Sequence, residues 1–498
     1  MTIKEIRALP PGPRAPRFVQ LIHDSVWPLH LLESCARRFG ERFTLRLLGF
    51  PPIVVLWSPR AVQDVLRGDS RALHSGEANE FLAGTVGRSS VLVLDEDKHA
   101  RQRRVLVPPF HGERMRAHVE RMRAITEESM ETWPRGKPFA LEPRMREITL
   151  RTILEVVLGK DALAGGTLAR DLTAMLSYTH NSLALVGARF APHSLLRRIP
   201  FLPFYREMRR IDAGLHEIIR SRAGARPRAE VRDQGRRPHP PVGEAGIDGA
   251  QIGEHSSARS TSDGDHGSTG RAAVRSTEVS GTVLDDLLEA RYEDGQPPTE
   301  EELRDALVTT IVAGHDTTAV ALSWTFEQVL SCPEVVSRIR EEAPLLGNLS
   351  AADPLPALEY TDAALRESLR RRTVIQFIAR LLQRPFSAGG EEYSAGVMLA
   401  PCIHLLHQHP DLYPEPAKFR PERFLERRYG PSEWMPFGGG HRLCIGMAFA
   451  MQQMKIVLST VLSRCDLVRP EGARSRPVRR GLTIAPSDGT RVLMRSKK

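Results

Sequence analysis

Late in the chain, the stretch FGGGHRLCIG (residues 437–446) sets Cys444 among the glycines at 438, 439, 440 and 446, behind the aromatic ring of Phe437. An isolated cysteine is ordinarily a small buried hydrophobe. Here the bare backbone allows close approach of a flat group, and helical periodicity from Ile445 onward predicts a helix N-terminus beside the sulfur, which favours the thiolate. A thiolate is a nucleophile or a metal ligand. A nucleophile needs a base and an oxyanion site, and His441, three residues away, is a poor candidate for the base. A ligand fits better, with Cys444 as the metal-binding residue. Since no CxxC pair or close histidine completes a tetrahedral zinc site, the metal must bring most of its own ligands, as iron does in a porphyrin.

Two further groups carry chemistry. In AGHDTT (residues 313–318), Thr317 follows Ala313 by four positions, so its hydroxyl can bond back to that carbonyl and open the helix locally, with Gly314 leaving space. The gap offers room for small molecules. In RESLR, Glu367 and Arg370 stand at i and i+3 on one helix face, and a forked guanidinium there can bridge a carboxylate and backbone carbonyls. Such a pair fixes geometry rather than touching substrate.

Together these residues resemble the cytochrome P450 family of haem-thiolate monooxygenases. Phe437, Gly438, Gly440, Arg442, Cys444 and Gly446 satisfy its cysteine-ligand motif, and AGHDTT, ExxR (Glu367 to Arg370) and PERF (Pro421 to Phe424) precede it in order. The resemblance covers nearly the whole chain, from LPPGP (residues 9–13) to the closing hairpin, and leaves out only residues 223–280. It implies a mainly α fold with small β-sheets, a triangular helical prism with a smaller β-rich region near the N-terminus. Haem b (iron protoporphyrin IX) would lie between the long central helix and the cysteine-loop helix. Cys444 would ligate the iron; Ala313, Phe437, Gly438 and Gly446 would border the cofactor; Arg442, His99, Arg103 and Arg380 would meet its propionates. Thr317 and Asp316 would be the catalytic pair, donating to bound oxygen and relaying protons. Arg423 would join Glu367 and Arg370 in a structural network.

An electron-rich axial sulfur favours O–O cleavage, so the implied reaction inserts one atom of O2 into a lipophilic small molecule, a fatty acid or a terpenoid or steroid-like compound. Electrons from NAD(P)H would arrive through a separate ferredoxin or flavodoxin with its reductase. Arg103, Arg104, Arg366, Arg371, Arg372 and Arg442 are expected to form the patch that receives this partner. Segments 81–93, 180–190, 307–312, 374–377 and 482–484 are expected to line the substrate pocket. The sequence RRRTVIQF (370–377) departs from the leucine and paired prolines usual after ExxR. Two alternatives stay open: a haem-thiolate protein that is driven by peroxide or isomerises without monooxygenase turnover, and a haem sensor or carrier.

The elements that must position these residues are mostly helical. Apolar residues recur at three- and four-residue steps near 27–39, 60–67, 97–108, 112–132, 144–158, 168–187 and 203–222. Runs 43–48 and 53–57 read as a hairpin around Gly49 and two prolines. Thr299 and Glu302 form a capping box ahead of a long apolar helix over 297–330. Helices near 333–343 and 356–371, a strand region to about 400, a helix over 445–463 and a last hairpin ending in VLMRSKK complete the reading. Residues 223–280, rich in Arg, Gly, Ser and Asp, predict a disordered insertion within one domain spanning 1–498.

With 41% hydrophobic and 26% charged residues the chain is globular; a net charge of +10 is compatible with nucleic acid, an anionic membrane or an acidic protein partner, and with no nucleic-acid motif present the redox partner is the more economical reading than nucleic acid. Five scattered cysteines make no disulfide framework. The N-terminus carries no signal peptide and no transmembrane anchor, which predicts a cytoplasmic location.

Overall fold

The computed structural model describes residues 9–110, 118–160, 167–179, 203–224, 281–346 and 358–497. The predicted helical stretches at 112–117, 180–187 and 356–357, the pocket segment 180–190 and nearly all of the predicted insertion lie outside these residues.

The helices are α1 (Arg17–Val26), α2 (Pro28–Phe39), α3 (Pro59–Arg67), α4 (Glu96–Leu106), α5 (Val119–Met130), α6 (Glu142–Leu158), α7 (Leu168–Thr179), α8 (Pro203–Gly224), α9 (Val283–Glu289), α10 (Glu300–Val329), α11 (Pro333–Glu342), α12 (Glu359–Arg371) and α13 (Met447–Arg464). Shorter helical turns connect them. The strands are β1 (Arg42–Leu45), β2 (Ile53–Leu56), β3 (Leu73–His74), β4 (Pro138–Ala140), β5 (Arg380–Leu382), β6 (Phe386–Ala388), β7 (Glu391–Tyr393), β8 (Met398–Pro401), β9 (Cys465–Val468), β10 (Pro477–Arg480), β11 (Thr483–Pro486) and β12 (Arg491–Lys497).

The predicted N-terminal hairpin forms, with Phe43 opposite Val55, and grows into a five-stranded sheet in the order β1-β2-β8-β5-β3. One expectation fails at the other end of the chain. The last hairpin is β10–β11, and VLMRSKK is not part of it: β12 lies between β4 and β9 in a separate antiparallel sheet. β12 pairs with β4 across about 350 positions and with β9 across about 30, with β10 and β11 inserted between, so neither partner is its neighbour in sequence.

Helix α10, about 45 Å long at 1.5 Å per residue, organises the molecule. Its N-terminus is closed by the predicted capping box: Thr299 Oγ1 accepts from the Glu302 amide at 3.2 Å and Glu302 Oε2 accepts from the Thr299 amide at 2.8 Å. Its two halves belong to different cores. Leu303, Leu307 and Ile311 pack among α6, α7, α8 and α9, whereas Val320, Trp324 and Phe326 pack among α5, α6, α12 and α13. Burial lapses between them, where Val312, Gly314, Asp316 and Thr317 are half-buried and Ala313 is exposed. The small and polar residues of AGHDTT interrupt an otherwise continuous apolar rod.

Candidate functional site

The loop that presents Cys444 is held by a fully buried ion pair. Arg370 donates twice to Glu367, from Nε to Oε2 at 2.7 Å and from Nη2 to Oε1 at 2.8 Å. Its remaining donors reach backbone carbonyls of His407 (2.8 Å) and Pro416 (2.8 Å). Arg423 joins from the PERF turn, with Nε 3.1 Å from Glu367 Oε1 and Nη1 3.2 Å from the Pro414 carbonyl. Glu367 and both arginines are at most 2% exposed. Charges so buried are tolerable because each is answered by hydrogen bonds, although Arg423 Nη2 is left without a partner.

His407, which the sequence did not single out, carries this order onward. Its carbonyl receives Arg370, while its ring Nε2 accepts from the Met435 amide at 3.0 Å, just before the glycine run. Burial and then the Arg370 charge push its pKa well below the usual histidine value, so the ring is neutral and able to accept. Tyr413 adds a second tie through its hydroxyl to the Glu433 carbonyl, 2.8 Å away.

Within the loop, the Gly438 amide donates to Met435 O and the Cys444 amide to Phe437 O, each at 3.0 Å. Phe437 packs edge-on to Trp434, 6.1 Å between centroids. Gly440 has φ +64°, and a β-carbon there would stand 2.3 Å from the Leu66 carbonyl oxygen, so this glycine lets the loop approach the end of α3. The expectation that this bare backbone serves a flat group therefore needs correcting at Gly440; at Gly446, where a β-carbon would meet nothing within 4 Å, it is compatible with the structure.

Cys444 is exposed, the only one of the five cysteines to be so. Gly446, which caps α13, directs its N–H to the sulfur as predicted. The expected low pKa does not follow, because protein crowds the residue on its other sides. That desolvation raises the thiol pKa, and the Gly446 bond and the Arg103 charge only oppose the rise. A bound cation is what would complete the deprotonation.

Beside the cysteine the structure gathers cations. Arg380 on β5 is buried, its Nη1 bonded to the Ala379 carbonyl and its Nε without a partner. Burial and then the charge of Arg442 bring its pKa down to about 9. Arg442 bonds the carbonyls of Val91 and Leu94 and the Asp95 carboxylate, yet its Nε is also unpartnered. His99 on α4 sits edge-on to His441, 6.1 Å between centroids, and the buried His441 Nε2 has no partner. Burial first, then nearby arginines, push His99 to about 3 and His441 to about 4. Arg103, half-buried, has its pKa lowered by burial against the opposing influence of Cys444. Three arginines and the neutral ring of His99 thus converge on one place, faced among the described residues by one carboxylate, Asp95. Orphaned buried donors and mutual repulsion on this scale are the chemistry of a site for a ligand with two or more negative charges. Beside an exposed thiol, that donor set fits a haem, its iron for Cys444 and its propionates for the arginines and His99.

On α10, Thr317 Oγ1 donates to the Ala313 carbonyl at 2.7 Å, as predicted. Asp316 is set among residues that sequence spacing could not suggest. Its Oδ1 accepts from Arg146 Nη1, and its Oδ2 from Thr483 Oγ1 at 3.1 Å. Arg146 also holds Glu142 Oε1 at 2.9 Å, and Arg480 reaches the same oxygen. The described segments among those expected to line the substrate pocket meet around this helix. Ser89 N donates to Asp305 Oδ2 (2.8 Å), Thr309 Oγ1 to Ser90 Oγ (2.7 Å), and Ile484 N to the Val374 carbonyl (2.8 Å).

The expected arginine patch does not form as a unit. Arg442 turns inward, Arg371 bonds Gln328 at 3.0 Å, and Arg372 lies over the Trp324 ring at 4.9 Å. Those last two side chains turn back against α10, which is how RRRT departs from the family pattern without opening the core. Arg104 and Arg366 remain outside, paired with Glu293 and Asp362.

Among the described residues, no helix is long and apolar enough to cross a membrane. The sequence matches the family profile of Cytochrome P450 over residues 10–492. A Mycobacterium tuberculosis protein with the provisional name cytochrome P450 135B1 is 34% identical over 492 residues, covering 98% of this chain and 92% of that protein. A second from the same organism, provisionally cytochrome P450 138, is 31% identical over 495 residues, covering 98% and 97%. Of solved structures, retinoic acid-bound cyanobacterial CYP120A1 superposes with a TM-score of 0.76 at 21% identity, covering 98% of this chain and 99% of that one. The cytochrome P450DA heme domain gives 0.74 at 21% identity and covers 99% of each. A family profile across nearly the whole chain, relatives above 30% identity at full length, and the shared fold agree: this chain belongs to the cytochrome P450 family, a haem-binding, oxygenase-type family of enzymes.

Proposed function

We propose that the protein is a haem-thiolate monooxygenase that places one atom of O2 in a lipophilic small molecule, with Cys444 as the iron ligand. The observation that carries this reading is the convergence of Arg380, Arg442, His99 and Arg103 beside an exposed thiol, with buried guanidinium and imidazole nitrogens unpartnered. When bound, haem supplies the oxygen chemistry at its iron, and the thiolate makes that iron electron-rich. The chain supplies the rest. The Gly446 N–H steadies the sulfur and tempers its charge. Arg380 and Arg442 hold the propionates, with His99 and Arg103 completing the cradle.

Thr317 offers a hydroxyl at the lapse in α10, and Asp316 relays protons from its place between Arg146 and Thr483. To relay a proton from solvent toward Thr317, the carboxylate must first loosen from Arg146 and take that proton up, so Arg146 meters the relay. Electrons come from NAD(P)H through a ferredoxin or flavodoxin. The partly apolar segments 81–93, 307–312, 374–377 and 482–484 favour a lipophilic substrate of the fatty-acid or terpenoid kind.

The test is spectroscopic first. Reduced protein under carbon monoxide should show the red-shifted absorption of cysteinate-ligated haem, and Cys444→Ser should abolish it; an imidazole-type spectrum overturns the ligand assignment. Turnover with a surrogate ferredoxin, its reductase and a panel of fatty acids and terpenes then separates an oxygenase from a peroxide-driven enzyme or a carrier. Thr317→Ala should raise the electrons consumed per product formed, and unchanged coupling argues against the relay.

A further inference from the structure

Helix α1 is built inside out. A surface helix ordinarily turns its apolar stripe to the core. Here the residues turned inward are polar: Gln20 and Asp24 are both buried. Gln20 bonds the carbonyls of Pro13 (3.1 Å) and Ala15 (2.8 Å) and accepts from the Arg46 amide (2.9 Å). Asp24 takes both its oxygens to Arg479 and one to Gln376. The helix is thus fixed by polar contacts together with the half-buried Leu21, and its other large apolar residues point away. Phe18, Val19, Ile22 and Val26 are 54, 39, 51 and 46% exposed, and Trp27, at the helix end, is 60% exposed. At 100° per residue the first four fall within an arc of about 100°. Leu48, 40% exposed on the turn after β1, stands two residues from the backbone that Gln20 anchors.

The charges around this arc have one sign. Arg14 and Arg17 are exposed at its N-terminal edge and have no ion-pair partner among the described residues. Between residues 14 and 27 the one acidic side chain is Asp24, which is turned inward and neutralised by Arg479. An apolar arc that ends in a tryptophan and is flanked by unpaired arginines has the composition of a helix that lies in a lipid interface. A second copy of this chain, itself carrying a net charge of +10, would cover the apolar arc but bring no surplus of acid to the arginines, whereas an anionic bilayer supplies an apolar interior and a negative surface together.

We propose that this face seats the protein on an anionic phospholipid surface, with α1 in the plane of the headgroups and Phe18, Ile22 and Trp27 reaching the acyl boundary. The contact is peripheral and reversible, and it does not depend on the haem chemistry. The experiment is co-sedimentation of the haem-loaded full chain with vesicles of phosphatidylcholine alone or mixed with phosphatidylglycerol. Binding should require phosphatidylglycerol and weaken with added salt. Phe18→Ser with Ile22→Ser, and separately Arg14→Gln with Arg17→Gln, should each reduce partitioning by about tenfold. The haem spectrum and thermal midpoint should not move, because these side chains are exposed. Failure of the wild type to bind phosphatidylglycerol vesicles overturns the proposal, as does undiminished binding by the Phe18→Ser/Ile22→Ser variant. Concentration-dependent dimerisation abolished by that variant, without vesicle binding, would assign the face to a second copy instead.

Discussion

At the scale of single residues, the cysteine loop depends on charges that never meet solvent. Glu367→Gln would leave Arg370 and Arg423 buried against a neutral amide, and breaking a buried pair in this way costs about 3–5 kcal/mol. The expected outcome is expressed protein with little bound haem and a strongly lowered denaturant midpoint; a normal haem content would show that the loop does not rely on this network. His407 permits a subtler prediction. Its folded pKa lies well below the unfolded value of about 6.5, so in that window the unfolded state binds the extra proton. The stability contributed by the neutral ring is complete above about pH 6.5 and is lost as pH falls, at up to ~1.4 kcal/mol per pH unit. His407→Gln keeps an acceptor for the Met435 amide and removes the titration. Denaturant midpoints taken between pH 8 and pH 5 should fall less steeply in the variant, by about one proton's worth of slope. The Glu367–Arg370 pair was legible because it is spaced for one helix face. His407 was not, because its partners lie 37 and 28 residues away and nothing in HQHP signals a neutral buried imidazole.

At the scale of elements, α10 shows what local sequence can and cannot say. Its start was readable from Thr299 and Glu302, and its lapse from Ala313, Gly314 and Thr317, because capping and side-chain back-bonding act over three or four residues. The Asp316–Arg146–Glu142–Arg480 chain was unreadable, since it crosses from α10 to α6 and β10 and each member looks like an ordinary surface charge. The closing strand was misread because β10 and β11 stand between it and its nearer partner β9, and β4 is remote. The cap itself makes a prediction separable from the haem site. Thr299→Ala removes the acceptor for the Glu302 amide at an exposed helix start, which should cost about 1 kcal/mol. Thermal unfolding should shift down by a few degrees, with the carbon monoxide spectrum and coupling of Thr317 intact. A change in the spectrum would mean that the helix shifts along its axis when the cap is lost.

At the scale of the whole molecule, the question is whether residues 225–280 belong to the machine. The ends that flank them are tied to each other and to the body. Arg222, near the end of α8, bonds both oxygens of Asp285 on α9, at 3.0 and 2.9 Å, and the carbonyl of Leu158 at the end of α6. Thr282 Oγ1 donates to Asp285 Oδ2 (2.7 Å), its amide does so as well (2.9 Å), and it accepts from the Asp285 amide (3.2 Å), capping α9. Leu284 and Leu287 then pack with Leu215 and Ile219 in the same core as the first half of α10. The junction therefore closes through its own side chains, and loop closure by a shorter connection costs little, because the entropy varies only with the logarithm of length. We propose that residues 225–280 are an insertion in one domain, and that a short Gly/Ser linker in their place leaves haem content, the carbon monoxide spectrum and the unfolding midpoint within error of the full chain. The opposite result, a linker variant that fails to load haem although Arg222 and Asp285 are present, would make the segment part of the fold. Arg222→Gln sharpens the comparison. It should destabilise the full chain and the linker variant alike, since in both the carboxylate of Asp285 loses the same partner.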